Sequence, residues 1–138
     1  MNGKEIYQVW MNAWNKDISM LHDITDESCT VHQARTDGKD SNSIKGVEAL
    51  KDVVESAKYY FENVKMSLIV QPIEERNYVS ARWNFKGIYN GNMGEAKAEK
   101  GKLVSFDGTD IFRIENGKIK DYWVSSDVID FMNQLELF

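Results

Sequence analysis

Apolar and polar residues alternate from Leu103 to Asp127, in two runs separated by Asn116-Gly117. That period belongs to a half-buried strand, and Asn-Gly between two such runs marks a hairpin turn. A two-residue loop sets the pairing: Ile114 opposite Ile119, Phe112 opposite Asp121, Asp110 opposite Trp123 and Phe106 opposite Asp127. Phe106, Asp110, Phe112, Ile114, Ile119, Asp121, Trp123 and Asp127 then share one face, which mixes large apolar side chains with carboxylates. Carboxylates resist burial unless paired or functional, so such a face suits a half-closed pocket. A one-residue slip, or a bulge at Asp107-Gly108, would carry residues to the other side.

The rest of the chain supplies helices and further strands. Ile6, Val9, Trp10 and Ala13 recur at helical spacing and predict a helix over 3–16, with Tyr7 and Trp14 widening its stripe. Trp10 and Trp14 serve such a helix either as core or as a pocket wall. Asp17 is placed to cap a second short helix carrying Ile18, Leu21 and Ile24. Residues 27–34 read as a strand with Cys29, Val31 and Gln33 on one face and Thr30, His32 and Ala34 on the other. His32 fits either a hydrogen-bonded structural role or proton transfer. The polar stretch 35–45 is a loop expected to edge a binding site. Val47, Leu50, Val53, Val54, Ala57, Tyr60 and Phe61 make a helix over 46–63, with Tyr60 placed either to pack or to overhang a cavity.

Strands over 64–75 and 78–89 follow, then one starting near Glu95 and running into the hairpin. Val79, Ala81, Trp83 and Phe85 alternate with Ser80, Arg82 and Asn84. Asp127 is a candidate cap for a closing amphipathic segment with Val128, Phe131, Met132 and Leu135. This order predicts a single α+β domain over 1–138, a cone-shaped and strongly curved, mixed or antiparallel sheet wrapped over N-terminal helices with a cavity at its mouth. Ile111, Tyr122 and Val124 fall on the outer face and predict a homodimer packed through it.

Composition narrows the function. Apolar residues make up 42% and charged residues 28%, values of a globular domain. A net charge of −5 argues against nucleic acid as a partner, and no apolar run is long enough for a membrane span. The first ten residues lack the apolar run of a signal peptide, and a cytoplasmic setting is expected. One cysteine and two histidines exclude an internal disulfide and a multi-histidine or multi-cysteine metal centre. Neither metal nor cofactor is expected.

The motif Phe-x-Gly-x-Asp-Ile-Phe-Arg-Ile-x-Asn-Gly-Lys-Ile-x-x-x-Trp-x-x-x-Asp at 106–127 resembles the signature of the SnoaL-like, polyketide-cyclase-like branch of the nuclear-transport-factor-two-like superfamily. The aromatic first helix, Gly-Val-Glu-Ala-Leu at 46–50 and Trp83-x-Phe85-x-Gly87 agree with it. The resemblance implies a cone with an apolar pocket, and Asp127 as the general base with Asp110 as a pocket-facing acid. Epoxide hydrolases of the superfamily carry an Arg-x-Asp pair where this chain has Arg82-x-Asn84, a departure that counts against that activity. Two readings follow. One is a cofactor-independent isomerase, cyclase or hydrolase of a small hydrophobic molecule, with Asp110 and Asp127 catalytic and Trp10, Trp14, His32, Tyr60, Phe106, Phe112 and Trp123 around the ligand. The other is a binding domain that holds such a molecule without changing it.

Overall fold

A computed structural model describes residues 1–33 and 43–138. The chain runs α1 (Gly3–Asn15), a 3₁₀ helix (Ile18–Asp23), β1 (Thr25–His32), α2 (Val47–Tyr60), β2 (Phe61–Glu75), β3 (Tyr78–Tyr89), β4 (Leu103–Glu115), β5 (Lys118–Ser126) and α3 (Val128–Gln134). The strands form one mixed sheet in the order β1-β5-β4-β3-β2, with β1 parallel to β5 and the other pairs antiparallel. This is the expected α+β arrangement.

Local chemistry explains the ends of the helices. Asn2 accepts from the Glu5 amide while Glu5 reaches back to the Asn2 amide, a reciprocal cap at the start of α1. Asp17 accepts from the Ser19 amide at the start of the 3₁₀ helix. Helix α2 stops at Tyr60 rather than at residue 63, because Phe61 turns extended and pairs with Tyr89. Strand β4 begins at Leu103 rather than near Glu95. Tyr89 and Gly101 close the intervening loop through Tyr89 N to Lys102 O and Gly101 N to Tyr89 O.

The hairpin turn at Asn116-Gly117 has the expected form, with both residues at positive φ (53° and 73°) as a right-twisted two-residue hairpin requires. The pairing beyond it departs from expectation. Ile114 lies opposite Ile119, but Arg113 then pairs with Asp121, so β5 carries one extra residue at Lys120. From there Phe112 faces Tyr122, Ile111 faces Trp123 and Asp110 faces Val124. The bulge turns Tyr122 and Val124 inward and sends Asp121, Trp123 and Asp127 to the outer side, reversing the face expected for all of them. The anticipated break at Asp107-Gly108 does not occur, and β3 and β4 pair without interruption from Tyr78 to Ile88.

The inner sheet face packs on the helices. Val79, Ala81, Trp83 and Phe85 of β3 are buried, as the alternation required, and Trp10 of α1 meets Phe112 edge-on at 5.5 Å between ring centres. Gly108 sits opposite Trp83 with the indole lying across it. A Cβ there would land closer than 3.0 Å to three carbons of the indole. Gly108→Ala therefore forces Trp83 from its seat, and a loss of about 3 kcal/mol of unfolding free energy is expected in urea denaturation. An unchanged midpoint would show that the indole has room to move.

Candidate functional site

The site is organised by one carboxylate. Asp110, at the middle of β4, is fully buried. Its Oδ1 accepts from Trp83 Nε1 at 3.0 Å and Tyr122 Oη at 2.7 Å. Its Oδ2 accepts from Tyr7 Oη at 2.7 Å and Trp10 Nε1 at 3.2 Å. Helical spacing puts Tyr7 and Trp10 one turn apart on the buried stripe of α1, while Trp83 and Tyr122 come from the strands flanking β4. A carboxylate offers about four acceptor positions, and here all are taken.

Burial dominates the charge state. It pushes the Asp110 carboxyl up to about 6, against the opposing pull of the hydrogen bonds from Tyr122, Tyr7, Trp83 and Trp10. Burial and the neighbouring Asp110 charge also raise both phenols, Tyr7 and Tyr122, far above their ordinary value. Both stay protonated and act as donors.

In front of this cluster lies a cavity of about 590 Å³ between the sheet, α2 and α3. Trp14, Phe61, Met66, Trp83, Phe85, Phe106 and Tyr122 form its apolar wall, and Val53, Ala57 and Tyr60 of α2 and Phe131 of α3 face them. Gln33, Asp52, Ser56, Ser125 and Ser126 add polar atoms. No lysine or arginine lines it among the described residues. A second hollow of about 520 Å³, among Lys97, Glu99, Lys100, Lys102 and Glu136, is a charged surface feature without a buried group. The expected loop at 35–45 lies for the most part outside the described residues.

The candidate residues separate into three places. Trp14, Tyr60 and Phe106 line the cavity. Asp110, Trp10 and Phe112 lie behind its wall, fully buried and absent from its surface. Asp127, His32 and Trp123 lie on the outer face, which corrects their expected position. Asp127 pairs with Arg82 at 3.1 Å, and Arg82 also bonds Thr109. The alternation of β3 thus holds: Arg82 and Asn84 face outward, Asn84 bonding Asp107 at 2.9 Å. His32 stacks on Trp123 at 4.9 Å and meets Asp121 at 2.9 Å. Partial burial pushes Asp121 up, but the hydrogen bonds and charges of His32 and Arg113 outweigh it and hold its carboxyl below the usual range. The Cys29 thiol is buried and pushed up to about 12, which keeps it from acting as a nucleophile. Tyr7, Trp83 and Tyr122 were not among the sequence candidates as partners of the acid. The available signal was that a buried phenol or indole needs a hydrogen-bond partner.

Among the described residues no group of three or more His, Cys, Asp or Glu is placed to hold a metal ion, and no helix is long and apolar enough to cross a membrane. Solved structures define the class. TsrD from Streptomyces laurentii superposes with a TM-score of 0.79 at 19% identity, covering 98% of this chain and 95% of that one. IdmH from Streptomyces antibioticus, a proposed polyketide cyclase, gives 0.79 at 18% identity over 95% and 96%. A protein of ketosteroid isomerase-like fold from Catenulispora acidiphila, in complex with trimethylamine, gives 0.74 at 15% over 100% and 96%. At these identities the likeness establishes a ketosteroid isomerase-like fold. Residues 4–135 match the model of the SnoaL-like polyketide cyclases, and the chain belongs to that family. No curated protein matches the chain.

The raised Asp110 carboxyl has a signed consequence. The folded chain keeps this proton at pH values where the unfolded chain, with an ordinary value of 3.8, has lost it. The contribution of Asp110 to stability is complete below 3.8 and is lost as pH rises through about 6. Asp110→Asn has no such proton. The stability gap between wild type and Asp110→Asn is therefore expected to narrow by about 2 to 3 kcal/mol between about pH 4 and about pH 7. Paired denaturation curves across that range check it, and a constant gap would contradict it.

Proposed function

We propose that the cavity takes a small, mostly apolar and uncharged molecule, and that Asp110 exchanges a proton with it in an isomerisation, cyclisation or hydrolysis that needs no bound cofactor. The observation that carries this reading is the wiring of the cavity wall: Trp83 and Tyr122 line the cavity, and both donate to Oδ1 of Asp110. A polar ligand atom that accepts a hydrogen bond from either donor draws it away from the carboxylate. One acceptor position on Asp110 then opens toward the ligand. A carboxyl raised to about 6 is suited to trading protons near neutrality. The apolar lining favours a body of fused or linked rings, and the described lining supplies no cation to attract an anionic one. Similarity to IdmH supports a polyketide-like substrate.

A second reading, binding without turnover, is favoured by one feature. All four acceptor positions of Asp110 are occupied. If ligand binding leaves those bonds in place, the carboxylate is a structural node and the cavity is only a receptor. Hydrogen–deuterium exchange next to the carbonyl of aromatic ketones such as α-tetralone separates the two. Wild type is expected to speed this exchange, Asp110→Asn to lose about 100-fold or more, and Asp127→Asn to keep it. Binding with no exchange above buffer selects the receptor reading, and loss of exchange in Asp127→Asn would overturn the assignment to Asp110.

We further propose that two copies pair through the outer sheet face. Ile73, Tyr78, Ile111 and Trp123 leave 63%, 44%, 40% and 36% of their surface exposed there. Arg82 and Arg113 alternate with Asp107, Asp121 and Asp127 on the same face, so a two-fold copy meets opposite charges. Sedimentation at micromolar concentration is expected to give a dimer that Trp123→Lys dissociates. A monomeric wild type would refute the pairing.

A further inference from the structure

Three indoles surround the cavity and its back wall, and they differ in one respect. Trp10 and Trp83 each donate to Asp110. Trp14 Nε1 is buried and has no hydrogen-bond partner, and among the described residues it is the sole buried side-chain polar atom in that condition. Its ring stands edge-on to Trp10 at 6.0 Å and to Phe85 at 6.3 Å, contacts that supply at most a weak π acceptor. Leaving such a donor unpaired costs about 1 to 3 kcal/mol, so it calls for an explanation. Packing explains a large ring here but not an N–H left without a partner.

Position supplies one. Trp14 forms part of the cavity wall, beside Phe85, Trp83 and Met66. Its backbone is fixed: the Trp14 carbonyl accepts from Lys58 Nζ at 2.8 Å, and the next residue, Asn15, holds the Met66 backbone through both N–H and carbonyl. The indole is thus held on a rigid helix end with a donor in reserve. A tilt toward the cavity would bring that donor to a ligand, and where it stands it has no hydrogen-bond partner among the described residues.

We infer that Trp14 is a specificity-determining residue whose indole N–H donates to a neutral oxygen, a ketone or similar carbonyl, of the molecule in the cavity. The inference rests on the reading of the cavity as a ligand site and does not require that the ligand be turned over. A donor kept unpaired in the free protein rewards a ligand that carries the oxygen and gives nothing to its hydrocarbon counterpart.

The test uses α-tetralone and tetralin, two ring systems of nearly the same shape that differ by one carbonyl oxygen. In ¹⁵N-labelled wild type the Trp14 indole resonance, identified by its contacts with Phe85, is expected to move downfield with α-tetralone and to stay near its place with tetralin. Trp14→Phe is expected to weaken α-tetralone binding roughly fivefold to tenfold while changing tetralin binding less than twofold. If α-tetralone shifts other cavity resonances but leaves the Trp14 indole unmoved, or if Trp14→Phe weakens both compounds alike, the inference is overturned and the cavity reading stands. If neither compound perturbs any cavity resonance at millimolar concentration, the cavity reading falls and the inference with it.

Discussion

A single buried carboxylate, held by two phenols and two indoles, is the constraint on which the rest of this structure depends. Asp110 joins α1 to three adjacent strands: Tyr7 and Trp10 reach it from the helix, and Trp83 and Tyr122 from the strands on either side. An unpaired carboxylate there would be severely destabilising, and each donor left without it would add its own desolvation cost. The helix and the three strands are therefore tied together through one group. Two local features serve it: the missing side chain at Gly108, across which Trp83 lies, and the extra residue at Lys120, without which Tyr122 would point outward.

The two sheet faces give carboxylates opposite chemistry. On the outer face Asp121 is paired with His32 and Arg113, and its carboxyl is held low. Asp127 is half-exposed and paired with Arg82. A carboxyl held low, as that of Asp121 is, stays charged and competes poorly as a proton acceptor at neutral pH. Asp110 has no cationic partner, only neutral donors, and burial lifts its carboxyl to about 6. Its position behind Trp83 and Tyr122 makes the cavity wall itself responsive, since a ligand that competes for either donor alters the environment of the acid.

Much of the fold was legible in the sequence. The stripe of Ile6, Trp10 and Ala13, the alternation of β3 and the Asn116-Gly117 turn each follow from one local rule, and each holds. The faces of β5 were not legible. A bulge shifts pairing by one residue, and nothing in Ile-Lys-Asp-Tyr-Trp states which residue is doubled. The choice is made by tertiary contacts, by Tyr122 finding Asp110 inside and Asp121 finding Arg113 and His32 outside. For the same reason Asp127 and Trp123 moved away from the cavity. Asp110 stood out as an acid on an apolar face, but its donors lie as many as 103 positions from it along the chain. No spacing rule connects residues so distant.

The central claim is that Asp110 is a neutral-donor-bound acid titrating near neutrality behind the cavity wall. Its most direct test is a ¹³C NMR titration of the Asp110 carboxyl carbon in the folded protein. The account predicts a midpoint near 6, well separated from that of Asp121, whose carboxyl is held low. A midpoint at or below the ordinary 3.8 would contradict it, and would mean that the hydrogen bonds rather than burial decide the state of this carboxylate.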